Sequence, residues 1–224
     1  MINIPLRVEI LRARIQKACE ACNRVPSSVE LLPVSKRQPM ELIQSASQLG
    51  FATFGENYVQ EGLAKAQACP DLSFVLIGPL QRNKTKQALL SFTEIMTVDR
   101  SELALRLRHL AEELQLSRGI WIQMDLWGEE TKMGGCSETA LPALIKTLEG
   151  DTRLPLQGFL AIPPPGQPEA FQDMAQLRER WQDKLGQRLR LSMGMSDDLE
   201  EAVQAGSDQV RIGTALFGER AMSA

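Results

Sequence analysis

The chain has 224 residues, 43% of them apolar and 24% charged, proportions that exclude disordered and collagen-like architectures. At this length a fold buries roughly 70–75% of the unfolded surface and needs no metal or disulfide staple. Twenty-eight acids against 25 bases leave a net charge of −3, so no global basic field is available to hold a nucleic acid or a membrane surface.

No apolar run approaches the ~18 residues of a transmembrane helix. Arg7, Glu9, Arg12 and Arg14 interrupt the N-terminal hydrophobic pattern, which argues against a secretory signal. Cys19, Cys22, Cys69 and Cys136 are too few for a disulfide scaffold and read as reduced thiols of a cytoplasmic protein. Cys19-x-x-Cys22 lacks a second pair to complete a zinc site. It shares a helical face with Ile4, Val8, Leu11, Ile15 and Ala18, so packing is the better reading. The single histidine, His109, lies in a leucine-rich helical pattern and reads as a surface or packing residue.

β-rich runs alternate with helical patterns to the end of the chain. A helix is predicted over 4–24, a strand over 30–35, a helix over 39–49 and a second strand over 51–54, closed by Gly55. A helix then runs to Ala68, strand three over 73–77, a helix around 84–92, strand four over 94–98 and a helix over 101–115 that Ser101 can cap. Strand five is read over 119–124, a helix opened by Ser137-x-x-Ala140 runs to Leu148, strand six covers 156–161 and a helix 168–185. Strand seven covers 189–192, Ser196 caps a helix over 197–205, and strand eight covers 209–212. Eight strands, each followed by a helix or helical turn, predict a single-domain (β/α)8 barrel over 1–224. Pattern alone does not see closure, so a doubly wound open sheet is the alternative.

In such a barrel reactive residues belong at the C-terminal ends of the strands. Lys36 follows an apolar strand, where burial would disfavour its charged form and leave the neutral amine that attacks an aldehyde. Taken alone, a solvated loop lysine is the plainer reading. Gly194-Met195-Ser196 opening a helix, and Gly213-Thr214 on the next strand, offer N–H groups and hydroxyls to an anion, as barrels do after strands seven and eight. A helix cap with turn glycines would explain either one separately. Together, on strands adjacent to the lysine, they read as a pyridoxal phosphate (PLP) site.

The same segments resemble the YggS/PROSC family of pyridoxal phosphate homeostasis proteins along the whole chain. The motifs that carry the likeness are Val34-Ser35-Lys36, Phe54-Gly55-Glu56-Asn57-Tyr58-Val59-Gln60-Glu61, Ile77-Gly78-Pro79-Leu80-Gln81-x-Asn83-Lys84, Ser192-Met193-Gly194-Met195-Ser196-x-Asp198 and Val210-Arg211-Ile212-Gly213-Thr214. One departure stands out: Phe74-Val75-Leu76 occupies a place where the family often has Trp-His-Phe. The resemblance implies the barrel of the alanine racemase N-terminal domain, a fold-type III PLP protein, without the enzyme's β-domain. It implies that Lys36 holds PLP as an internal aldimine, that Ser196, Gly213 and Thr214 take its phosphate, that Asn57 lines the site and that Arg211 faces the pyridine nitrogen. Met193 and Met195 are placed to border the ring, but methionines near a strand end are more often packing, and they are left out of the site.

An always-charged guanidinium at the ring nitrogen disfavours a pyridinium and so weakens the ring as an electron sink. Tyr58, the one tyrosine, reads as a rim or packing residue rather than a second base. The function implied is PLP homeostasis, with effects on amino-acid and keto-acid pools and without robust turnover. The protein would be a cytoplasmic monomer with PLP-dependent apoenzymes as partners. The alternatives are a fold-type III amino-acid racemase and a regulatory module in which Arg82, Lys84 and Lys86 meet an anionic partner.

Overall fold

A computed structural model describes residues 2–128 and 134–218. Eight strands form one parallel sheet: β1 (Glu30–Pro33), β2 (Thr53–Glu56), β3 (Ser73–Leu76), β4 (Glu94–Val98), β5 (Gly119–Met124), β6 (Leu156–Ala161), β7 (Arg190–Ser192) and β8 (Gln209–Ile212). Their order around the sheet is β1-β8-β7-β6-β5-β4-β3-β2. The seam between β1 and β2 is closed by a bridge from Val34 to Gly55 and by the Ser35 N–H donating to the Gly55 carbonyl at 2.9 Å. The result is a nearly closed (β/α)8 barrel.

The helices are α1 (Ile4–Ala21), α2 (Met40–Ser47), α3 (Val59–Ala68), α4 (Thr85–Ser91), α5 (Ser101–Leu114), α6 (Leu141–Leu148), α7 (Glu169–Leu185), α8 (Leu199–Gln204) and α9 (Thr214–Phe217). The face of α1 read from the sequence is the buried one, with Ile4, Val8, Leu11, Ile15, Ala18 and Cys19 inside. The four cysteines are free thiols, and no cluster of metal-ligating side chains occurs among the described residues. His109 is exposed on α5. No described helix is long and apolar enough to cross a membrane.

Strand alternation divides the core in two. Outward residues such as Phe54, Phe74, Ile95 and Phe159 join the helices in one large cluster. Inward residues Leu32, Val75, Met96, Trp121 and Leu160 form a separate, almost fully buried layer inside the barrel. Successive side chains on a strand face opposite sides, which is why the two sets interleave in sequence. Val75, the middle residue of Phe74-Val75-Leu76, stands in this inner layer as apolar packing. Below this layer, at the strands' N-terminal ends, Trp121 Nε1 donates to Glu94 at 2.6 Å. Arg190 lies over the Trp121 ring and pairs with Glu30 at 2.5 Å.

Three local expectations are corrected. Strand two runs over Thr53–Glu56, not 51–54, because the Gly55 and Glu56 carbonyls accept from Ser35 and Ile77 and extend the ladder. Gly55 is a strand residue where space is short: a Cβ there would sit 3.1 Å from Ile77 and 3.3 Å from Leu32. Ser101 does not cap α5. The extended Arg100 holds that position without a side-chain cap bond, and its carbonyl already accepts from Leu103 and Ala104. Ser196 does not cap α8 either. The helix begins at Leu199 with Asp198 at its cap, leaving Ser196 in the preceding turn.

Candidate functional site

The inward ladders of the strands continue past the apolar layer and become the wall of a cavity. Two residues beyond Leu32 comes Val34, beyond Val75 comes Ile77, and beyond Leu160 comes Ile162; all three line the cavity. The same period carries β1 onward from Val34 to Lys36, which also lines it. The cavity measures about 540 Å³, within the range of small-molecule sites.

All six residues singled out from the sequence, Lys36, Asn57, Ser196, Arg211, Gly213 and Thr214, line this one cavity. Lys36 is half-buried in a turn three residues after β1 ends. Asn57 follows β2 directly, and its backbone is met by the loop after β3. A Cβ on Gly78 would fall 2.1 Å from the Asn57 carbonyl oxygen, so that close approach requires glycine.

Arg211 is buried on β8 and held by three bonds. One terminal nitrogen donates to the Ser192 carbonyl at 2.7 Å and to its hydroxyl at 3.0 Å, the other to the Ala161 carbonyl at 2.9 Å. Burial lowers its pKa to about 10, so the guanidinium stays charged at neutral pH. The Ser192 hydroxyl is fixed in turn by donating to Gln209 at 2.9 Å.

Between β7 and α8 the chain turns through Gly194, whose φ of +93° is left-handed and whose position leaves a Cβ only 2.3 Å from that of Ala202. The Met195 N–H donates to the Asp198 carboxylate at 2.5 Å, which removes that donor from any anion. Ser196 stands half-buried beyond it, and Thr214 is exposed at the start of α9 beside Gly213. Asp197 also lines this side, adding a negative charge near the wall that Ser196 and Thr214 share.

Sequence reading left out several lining residues. Val34, Ile77 and Ile162 were legible as the next inward steps of alternating strands. Met193 is packing, fully buried, but Met195 is 42% exposed and stands on the cavity wall, so its reading as packing is corrected. Tyr58 lies outside the lining, 44% exposed, with Arg37 stacked 5.5 Å from its ring centre and donating to its hydroxyl. Behind Lys36, buried Glu56 and Lys65 meet Ser35 and Glu61, a cluster to which sequence reading gave no role. The i, i+4 spacing of Glu61 and Lys65 on a helix was its available signal.

Residues 7–221 match the model of the alanine racemase N-terminal domain. The pyridoxal phosphate homeostasis protein of Vibrio cholerae is 40% identical over 231 residues, covering 98% of each chain. That of Escherichia coli is 36% identical over 221 residues, 94% of each. The chain belongs to the pyridoxal phosphate homeostasis protein family. A solved member, PipY of Synechococcus elongatus, structured with PLP bound, superposes with a TM-score of 0.85 at 34% identity, over 96% of this chain and all of that one. An alanine racemase from Clostridium difficile shares the fold with a TM-score of 0.76 at 14% identity, over 99% of this chain and 57% of that one.

Proposed function

We propose that this member of the family binds PLP in the barrel-mouth cavity and holds, buffers and delivers it, as one PLP-binding domain over residues 1–224. The observation that carries the reading is the single cavity wall shared by a strand-end lysine, a fixed guanidinium and the Ser196, Gly213 and Thr214 groups. The residues present suit the cofactor: a nucleophilic amine, apolar side chains of Val34, Ile77 and Ile162 for a flat ring, and polar groups for a phosphate. PLP supplies an aldehyde carbon that condenses with a neutral amine and releases water. Lys36 is the amine that takes it. Ser196, Gly213 and Thr214 hold the phosphate through hydroxyl and backbone donors, and Asn57 lines the ring.

Arg211 faces the ring nitrogen as a charged donor. Its three existing bonds fix it in place, and its positive charge opposes protonation of that nitrogen. A site so charged holds the cofactor without making its ring a strong electron sink, which disfavours transamination and decarboxylation; racemisation tolerates such an arginine but needs an acid–base group on each face of the ring. Among the described lining residues the titratable side chains are Lys36, Asp197 and Arg211. Tyr58, turned away under Arg37, is poorly placed as a second acid–base group. The names of the curated relatives and the PLP-bound PipY structure support a PLP homeostasis role; an influence on amino-acid and keto-acid pools belongs to the same proposal. The reading extends to a cytoplasmic monomer with PLP-dependent apoenzymes as recipients.

The test is a visible spectrum and a borohydride-trapped intact mass of the protein with PLP, before and after Lys36→Ala. A trapped adduct mapped to Lys36, lost in the variant, is expected. An unchanged band in the variant would overturn the assignment. Incubation with single L-amino acids should leave enantiomer ratios essentially unchanged, whereas turnover at ordinary enzyme rates of about 1–10³ per second would favour a racemase.

A further inference from the structure

Lys65 is a buried lysine on α3, 6% exposed, outside the cavity lining. An ammonium has three donors and no acceptor, and here each finds a partner. Nζ donates to the Ser35 carbonyl at 2.6 Å, to Glu56 Oε1 at 2.7 Å and to Glu61 Oε1 at 2.7 Å. Glu56 is fully buried and accepts a further bond from the Ser35 hydroxyl at 2.6 Å. Glu61 accepts one from the Arg37 N–H at 2.5 Å.

These partners have one residue in common. The Ser35 carbonyl belongs to the peptide that leads into Lys36, and the Arg37 N–H to the peptide that leaves it. Both peptide planes flanking Lys36 are therefore tied to one ion cluster. Arg37 adopts a left-handed φ of +57°, an uncommon state for a side-chain-bearing residue that its bond to Glu61 holds in place. Strand alternation explains the geometry: Lys36 continues the inward ladder, so Ser35 faces outward, toward the helix that carries Lys65.

The bond from Lys65 to Glu56 already fastens α3 to β2; the bonds to the Ser35 carbonyl and, through Glu61, to the Arg37 N–H reach the chain on both sides of Lys36. We propose that Lys65, with Glu56 and Glu61, is the positioning group of Lys36, pinning both flanking peptide planes so that its ε-amine enters the cavity from a fixed point. The inference rests on the reading of Lys36 as the PLP-bearing residue.

Glu61→Ala tests it, because Glu61 is partly exposed and its loss leaves the Glu56–Lys65 pair to hold the fold. Glu61→Gln keeps an acceptor oxygen, and Leu144→Ala on α6 is a destabilising control remote from Lys36. Two rates are followed: amide exchange at Arg37 in PLP-free protein, and release of PLP from loaded protein. Glu61→Ala is expected to accelerate both about tenfold, equivalent to about 1.4 kcal/mol, with Glu61→Gln intermediate and Leu144→Ala within about twofold of the unaltered protein. Both rates unchanged in Glu61→Ala, or acceleration of only one, would overturn the proposal, as would equal acceleration by Leu144→Ala. Failure of the unaltered protein to form any adduct at Lys36 is a separate result: it would overturn the reading beneath, and this inference with it.

Discussion

Arg211 donates to the carbonyl oxygen of Ala161 at 2.9 Å, reaching from β8 past β7 to the last residue of β6. The same guanidinium bonds Ser192 at the end of β7, so one side chain fastens three neighbouring strands under the cavity. A lysine in its place would be a point charge without the planar fork. Arg211→Lys should leave at least one buried carbonyl unpaired, at a cost of about 1–3 kcal/mol, and should weaken PLP retention. Denaturant unfolding without PLP and equilibrium dialysis with it measure the two effects separately.

Gly78 is predicted to be intolerant of even one methyl group. An added Cβ would overlap the Asn57 backbone, a contact between main chains that no rotamer change can relieve. Gly78→Ala should therefore destabilise the fold by about 1–3 kcal/mol and displace Asn57 from the cavity wall. A chemical-denaturation midpoint equal to that of the unaltered protein would refute this.

Trp121 is the largest side chain of the inner barrel layer and is fully buried. Trp121→Ala should cost about 3–5 kcal/mol and strand the Glu94 carboxylate that accepts its N–H. Calorimetric melting of the two proteins side by side provides the check.

Glu94 gives a pH dependence. Burial raises its pKa above the ordinary 4.5, although the Trp121 N–H and nearby Arg190 act to lower it. The folded protein thus holds this proton more tightly than the unfolded chain does. Its contribution to stability is complete below the ordinary value and is lost as pH climbs through the raised one. Glu94→Gln, which keeps an acceptor for Trp121, should flatten that decline. Burial raises Glu56 in the same direction, so the flattening is partial. Unfolding midpoints across mildly acidic to neutral pH would show it, and identical slopes for both proteins would contradict it.

Much of this architecture was readable in advance because alternation has a short period. Strands β4, β5, β6 and β8 begin and end where the pattern put them. Lys36, Ser196, Gly213 and Thr214 stood out because they sit in glycine-rich or charged breaks at or just after strand ends, where polarity interrupts an otherwise apolar rhythm; Asn57 and Arg211, the latter inside β8, were named through the family resemblance. Elements went astray where a local signal had two meanings. Gly55 looked like a stop but serves a tight seam between strands, and Ser196 looked like a cap but precedes a turn closed by Asp198. The Lys65 cluster was opaque for a different reason. Its bonds join β2, α3 and the turn after β1 through main-chain groups of Ser35 and Arg37, and main-chain donors and acceptors leave no mark on residue identity.

Among the described residues, Glu30, Arg190, Trp121 and Glu94, with the apolar layer above them, pack the barrel interior beneath the cavity. If the cavity holds a cofactor for delivery, as proposed, that cargo would arrive and depart through the mouth bearing Lys36. Any recipient taking cargo directly would have to present its own opening to that rim, which turns handover into a question of how two mouths face each other.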